Sequence, residues 1–125
     1  IFIRANTSTK GVEIMLYVLE DGTIKLTRGD TARLTIDIMN DLTNESYTMS
    51  KNDTLTLTVK TNVKAHEFVF QKKTIGSNSF IIDPSDTNDA SFGKYKYDVQ
   101  LNTESGDVYT IIEPSTFEIL AEVTY

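Results

Sequence analysis

The stretch Gly93–Leu120, GKYKYDVQLNTESGDVYTIIEPSTFEIL, decides the fold. Tyr95, Tyr97, Val99 and Leu101 alternate with Lys94, Lys96, Asp98 and Gln100. A period of two sends alternate side chains to opposite faces, the mark of a strand with one face buried. Asn102 to Asp107 is polar, carries Ser105 and Gly106, and turns the chain. Val108, Thr110 and Ile112 then alternate with Tyr109, Ile111 and Glu113, and both sets are fairly apolar. Pro114 and Ser115 are expected to break this run before Phe117, Ile119 and Ala121 resume an alternation. The stretch predicts two or three consecutive antiparallel strands near the middle of a sheet. Nothing in it looks like chemistry.

Working back from Gly93, the segment Asp83 to Ala90 cannot be a strand. Pro84 suits the first position of a short helical turn with Asp83 as its cap, carrying the chain from one sheet to another. Phe80 and Ile82 belong to a short strand, and Gly76 to Asn78 is a turn. Phe68 and Phe70 are expected on one face of a strand from Glu67 to Lys72, after a loop from Thr61 to His66. Leu55, Leu57 and Val59 alternate with Thr54, Thr56, Thr58 and Lys60, a clear strand. Ser50 to Asp53 is a turn, Tyr47 and Met49 predict a short strand, and Asn40 to Ser46 is a polar loop.

Ala32, Leu34, Ile36 and Ile38 against Thr31, Arg33, Thr35 and Asp37 form the cleanest alternation in the chain. Thr23 to Thr27 is a strand with Ile24 and Leu26 on one face, preceded by Asp21-Gly22, a strong hairpin signal. Val12 to Glu20 is apolar almost throughout and fits helix or strand by periodicity; its Val, Ile and Tyr tilt it toward strand. Ile1 to Lys10 predicts a mobile arm or an edge strand. The sum is about seven to ten short strands with turn chemistry between them, an all-β antiparallel β-sandwich in which two sheets hide each other's apolar faces. Residues 1–22 form an N-terminal arm and first strand, and residues 23–125 the sandwich, within one compact domain overall.

A chain of 125 residues buries a sizeable core without staples. It holds no cysteine, so it belongs outside the disulfide-dense secreted class. That fits cytosolic folding and equally the cysteine-poor surface domains of Gram-positive bacteria. A formal charge of −6 argues against a nucleic-acid partner. No apolar run approaches the roughly 20 residues of a membrane helix. Ile1 to Lys10 does not resemble a signal peptide, and with Ile rather than Met first the N-terminus is expected to be trimmed, processed or left out, which leaves room for a lost targeting segment.

The residues that could carry chemistry each have a plainer role. His66 is the one histidine, and with no cysteine beside it a zinc site lacks its ligands. No Gly-x-Ser-x-Gly elbow accompanies it, so it is expected to be an exposed loop histidine. Asp83, Asp86 and Asp89 recur every third residue, but a calcium loop would need Gly and Glu where Asn88 and Lys94 stand, and capping explains the aspartates. Arg28-Gly29-Asp30 spells the tripeptide that integrins recognise, yet it falls at a turn where Gly29 supplies a positive φ. Asn6-Thr7-Ser8, Asn44-Glu45-Ser46 and Asn52-Asp53-Thr54 match the N-glycosylation acceptor, as a chain rich in Asn, Ser and Thr will do. Tyr95, Tyr97 and Tyr109 could form an aromatic sugar platform, or fill core. Paired carboxylates for glycoside hydrolysis are a spatial feature, and such enzymes need a long cleft. No catalytic, cofactor-binding or metal-ligating residue is therefore assigned, no cofactor is expected, and the chain is expected not to be an enzyme.

The order of these signals resembles a known family. Ile24-Lys25-Leu26-Thr27-Arg28-Gly29-Asp30-Thr31-Ala32 precedes an alternating strand; Leu57-Thr58-Val59-Lys60 and Val69-Phe70-Gln71-Lys72 follow. Then come Ile82-Asp83-Pro84-Ser85-Asp86-Thr87, Gly93-Lys94-Tyr95-Lys96-Tyr97-Asp98-Val99-Gln100-Leu101, Gly106-Asp107-Val108-Tyr109-Thr110 and Phe117-Glu118-Ile119. Over Thr23 to Tyr125 this is similar to the N-terminal domain of baseplate upper proteins and related immunoglobulin-like tail modules of phages and prophages of Gram-positive bacteria. The Gly-x-Tyr-x-Tyr-Asp-Val-Gln-Leu run is its strongest part.

The resemblance implies an immunoglobulin-like β-sandwich with a structural role in the tail or baseplate. Its partners would be other tail and baseplate proteins and copies of itself. Its place would be the virion, after folding in the bacterial cytoplasm, without membrane insertion. The family pattern supplies no catalytic residue to carry over. Val12 to Glu20 precedes the similar region, and longer family members continue past one module, so the chain is either a fragment or a stand-alone variant. The alternative from the same fold is a bacterial cell-surface adhesion or carbohydrate-binding module. A small hydrolase is a distant third reading.

Overall fold

Alternation in the sequence becomes alternation in burial. In β6 (Thr54–Lys60), Leu55, Leu57 and Val59 are fully buried while the threonines between them are half-exposed. A computed structural model describes residues 2–7, 16–18, 22–40 and 45–121. Before β6 these residues form β1 (Phe2–Thr7), β2 (Leu16–Val18), β3 (Ile24–Thr27), β4 (Ala32–Asn40) and β5 (Glu45–Ser46). After it come β7 (Phe70–Ile75), β8 (Ser79–Ile82), the short helix α1 (Pro84–Thr87), β9 (Gly93–Asn102) and β10 (Val108–Leu120).

The protein is a mostly-β domain. The strands β3, β10, β9, β6 and β7, in that order, make a curled half-barrel sheet, with the short β2 added beside β3. A smaller sheet centres on β4, with β1 on one side and β5 and β8 on the other. Both sheets send side chains into one core. Ile24, Leu26, Leu57, Val99, Phe117 and Ile119 come from the larger sheet, and Leu34, Ile36, Phe80 and Ile82 from the smaller. Phe117 sits among the aromatics, edge-on to Phe70 at 5.7 Å and to Tyr97 at 6.1 Å between centroids. Each such ring removed from water contributes about 1.5–3 kcal/mol.

The opening stretch forms the middle of the larger sheet, since β9 and β10 are neighbours and are flanked by β6 and β3. Tyr97, Val99 and Leu101 are buried, as their period predicts, and Tyr95 is half-buried. The α1 turn starts at Pro84 with Asp83 as N-cap and links β8 of the smaller sheet to β9 of the larger.

Several details differ from expectation, each for a local reason. β10 runs unbroken through Pro114 and Ser115, and its register with β9 shifts twice, between Thr110 and Ile112 and between Ile112 and Ser115. Proline lacks the N–H a regular ladder needs, and bulges absorb the mismatch. They also reset the phase, so Ile111 is buried and Val108 exposed. The pairing is not antiparallel throughout: β3 lies parallel to β10. No hairpin joins these two strands, because the chain leaves β3 for the other sheet, so neither direction is imposed. Tyr47 and Met49 do not form a strand; the last backbone bond to β4 is the Tyr47 N–H on the Ile38 carbonyl at 2.7 Å, and the next segment turns to meet Asp53. The strand expected from Glu67 starts only at Phe70. Phe68 is 53% exposed and does not share the buried position of Phe70.

Four expectations lie partly outside the described residues: Ile1 to Lys10, of which Phe2–Thr7 forms the edge strand β1; the Val12 to Glu20 segment, of which only Leu16–Val18 is described; the Asp21-Gly22 turn; and the Asn40 to Ser46 loop, whose described ends are strand, Asn40 closing β4 and Glu45–Ser46 forming β5 beside it. Asn44 and Ser8, which two of the glycosylation matches need, lie outside as well.

Candidate functional site

The larger sheet turns one face to the core and the other outward. The outward positions follow from the register. Thr58 pairs with Asp98 and Gln71, Thr56 with Gln100 and Lys73, Lys60 with Lys96, and Glu118 with Lys94 and Lys25. The face is therefore built mainly from Thr, Gln and Lys, with Asp98 and Glu118 among them. Branched hydroxyls suit a solvated pleat, and the lysine stems cover it while their ammonium groups stay wet.

The loop 61–69 rises over one end of this face. Asn62 shapes its start, its side-chain oxygen accepting the Lys64 N–H at 2.9 Å and its carbonyl accepting the Ala65 N–H at 3.2 Å. The loop then delivers His66 and Phe68 beside Thr58, Lys60, Gln71, Asp98 and Gln100 around an open depression of about 250 Å³. A smaller depression of about 70 Å³ adjoins it, lined by Val63, Lys60, Lys96, Asp98 and Pro114. Burial pushes the Asp98 carboxyl above its ordinary value, and Lys60 pulls it the other way. Gln71 Nε2 donates to Thr58 Oγ1 at 2.9 Å, so the floor is partly tied. His66 and Asp98 line the same depression but share no hydrogen bond or ion pair. The arrangement presents charged and hydrogen-bonding groups around an open depression.

At the opposite end of the molecule, loops around Tyr47, Met49 and Gly76–Asn78 border a second open depression of about 380 Å³. Its polar groups are occupied: the Tyr47 hydroxyl goes to Asp53, and Asn78 Nδ2 to the Ile36 carbonyl at 2.8 Å.

The structure distributes the sequence candidates widely. His66 is exposed in its loop, as expected, and stands closer to Asp98 than its sequence position suggested. Asp83 and Asp86 cap α1: the Asp83 N–H donates to Asp86 Oδ2 at 2.7 Å. Both also take Lys72 Nζ, at 3.0 and 2.8 Å, while Asp89 is exposed. Arg28 stacks over the Phe92 ring at 4.2 Å, and Gly29, at φ +83°, donates its N–H to Thr87 Oγ1 at 2.8 Å. The tripeptide is thus folded into the turn. Asn52 is exposed beside β6. The sugar platform is not assembled. Tyr97 is 1% exposed, Tyr95 is half-buried with its hydroxyl on the Ser91 carbonyl at 2.6 Å, and Tyr109 stands on another strand. Among the described residues no group of three or more His, Cys, Asp or Glu is placed to hold a metal ion, and no helix is long and apolar enough to cross a membrane.

Sequence reasoning missed two residues. Asp98 was legible only as an outward position; its partial burial depends on a loop whose path the sequence does not fix. Asp53 was assigned to a turn, and its role as a buried acceptor had one signal, its place just before a strand and after Ser50.

No family model matches the chain, and no curated protein matches it.

Proposed function

We propose that this protein is a non-enzymatic structural module of a phage or prophage tail or baseplate, acting by protein–protein assembly through the outer face of its larger sheet. The observation that carries this reading is the Gly93–Leu101 run. The segment that most resembles the tail family is the central strand β9, and its outward residues Lys94, Lys96, Asp98 and Gln100 line an open face. A face of that kind is suited to docking, and the depressions on it are open. The finer fold belongs to the same proposal, an immunoglobulin-like sandwich. In support of it, β7, β6, β9 and β10 are neighbours in the order that strands C′, C, F and G take in that fold, and β4 pairs with β8 as B does with E. Partners are other tail proteins, and the protein resides in the virion after folding in the bacterial cytoplasm.

The test is mass spectrometry of purified phage particles from the host, together with the identity of the neighbouring genes. Stoichiometric presence in tails supports the reading. Absence from particles, with neighbours that encode no tail protein, overturns it.

A further inference from the structure

Two exposed apolar groups lie at opposite ends of the larger sheet. Val63 and Phe68, 57% and 53% exposed, belong to the loop that follows Lys60. Val108 and Tyr109, 59% and 41% exposed, open β10 just after the 103–107 turn. The register makes these opposite ends, since Lys60 pairs with Lys96 while Thr54, at the other end of β6, pairs with Asn102, which also faces Val108.

Their surroundings differ in charge. Around the first stand Lys60, Lys64 and Lys96, with Asp98 and Glu67 among them. Further along the same face lie Lys25, Lys73 and Lys94, with Glu118 held by Lys25 at 3.8 Å. Lys60 and Lys96 are cross-strand partners, and like charges directly opposite destabilise a sheet. Such a pair gains from an incoming carboxylate. Around the second stand Glu104 and Asp107, both exposed, with Lys51 in the neighbouring turn. The whole chain carries −6, so a lysine-rich face leaves the remaining surface more acidic than the total.

We infer that copies of this chain associate head to tail, the acidic Glu104–Tyr109 end of one docking on the Lys60–Lys96 face of the next and its Val108 and Tyr109 meeting Phe68 and Val63. The two surfaces are different, so the contact is heterologous and closes into a ring or extends as a filament. The inference rests on the assembly reading above and names a second copy as the partner at that face.

Sedimentation velocity of the full chain at about 0.05 M and about 0.5 M NaCl tests it. Association at low salt, weakened at least about tenfold at high salt, is expected. The double variants Lys60→Glu/Lys96→Glu and Glu104→Lys/Asp107→Lys should each abolish it, and their mixture should restore a complex. Phe68→Ser should weaken it without changing charge. Thermal melts confirm that each variant is folded, and should a double variant fail to fold, Phe68→Ser and Val108→Ser carry the test. A monomer at both salt concentrations, variants that associate as the parent does, or a variant mixture that stays monomeric overturns the inference. So does binding of heparin, used as a soluble polyanion, with no self-association. A monomeric protein still found in purified tails would sink this inference and leave the tail assignment standing.

Discussion

The Tyr47 hydroxyl donates to Oδ2 of Asp53, a carboxylate only 1% exposed. The same oxygen accepts the Ser50 N–H at 2.9 Å, and Oδ1 accepts the Glu104 N–H at 3.0 Å. The Asp53 carbonyl takes the Gly76 N–H at 2.8 Å, so one residue ties together the 47–53 segment, the β9–β10 turn and the β7–β8 turn. Gly76 has φ +69°, and a Cβ there would stand 3.0 Å from the Lys51 carbonyl oxygen. Replacing Asp53 by alanine strands two amides and a hydroxyl and should cost about 3 kcal/mol. Asp53→Asn keeps one acceptor and should cost about half as much. Urea unfolding of the two variants checks the order as well as the size.

The same cluster sets the response to pH. Burial pushes the Asp53 carboxyl up, but the Tyr47 hydroxyl and the Ser50 and Glu104 amides together outweigh it, and the value ends below the ordinary 3.8. Folding thus favours the ionised form. The stabilisation is complete above the unfolded value and is lost as pH falls through the lower folded one. Tyr47 moves the opposite way, pushed up to about 12 by its bond to Asp53 and by burial. Its contribution holds below the unfolded value of 10.0 and disappears as pH rises toward about 12. Denaturation midpoints followed across both limbs should drop at each end. Asp53→Asn should flatten the acid limb and Tyr47→Phe the alkaline one. An unchanged acid limb in Asp53→Asn would contradict the assignment.

A second tie holds α1. Lys72 reaches Asp86 and Asp83 from the edge strand β7, and its pKa is raised chiefly by Asp86, against the opposing effect of burial. The pair is partly solvated, so Lys72→Met should cost only about 1 kcal/mol. The sign is that of a raised base: the stabilisation is present below the unfolded lysine value and lost as pH rises through the folded one. Amide hydrogen exchange should show the loss locally, in residues 85–88. Uniformly faster exchange across the protein would refute a local role.

How much of this was legible in the sequence depended on how far each feature reached along the chain. The alternation of Leu55, Leu57 and Val59, or of Tyr97, Val99 and Leu101, is a property of adjacent residues, and burial followed it. The cap at Asp83 and Pro84 is equally local. The β3–β10 parallel pair joins residues far apart in the chain, and nothing in either strand specifies a direction. The two bulges in β10 answer to Pro114 and to the register of β9 together, so the buried position shifted to Ile111. The outer face was foreseeable as a row of Lys, Thr and Gln. The loop 61–69 that makes part of it concave was not, because its path depends on Asn62 and on Val69, whose N–H meets the Val59 carbonyl at 2.6 Å.

Tyr97 separates a binding role from a structural one. Its ring packs edge-on to Phe117, it is 1% exposed, and its hydroxyl donates to the Gly22 carbonyl, tying the start of β3 to the centre of the sheet. Tyr97→Phe keeps the ring and should cost about 1 kcal/mol for the lost hydrogen bond. Tyr97→Ala opens a cavity against Phe117 and should cost about 4 kcal/mol. Tyr109, exposed on β10, should tolerate alanine within about 0.5 kcal/mol. A sugar platform built on these residues would give the reverse pattern, with stability unchanged and glycan binding lost in both alanine variants. Thermal melts paired with a glycan array decide between them. A stable, fully folded Tyr97→Ala protein would show that this side chain does not hold the core together.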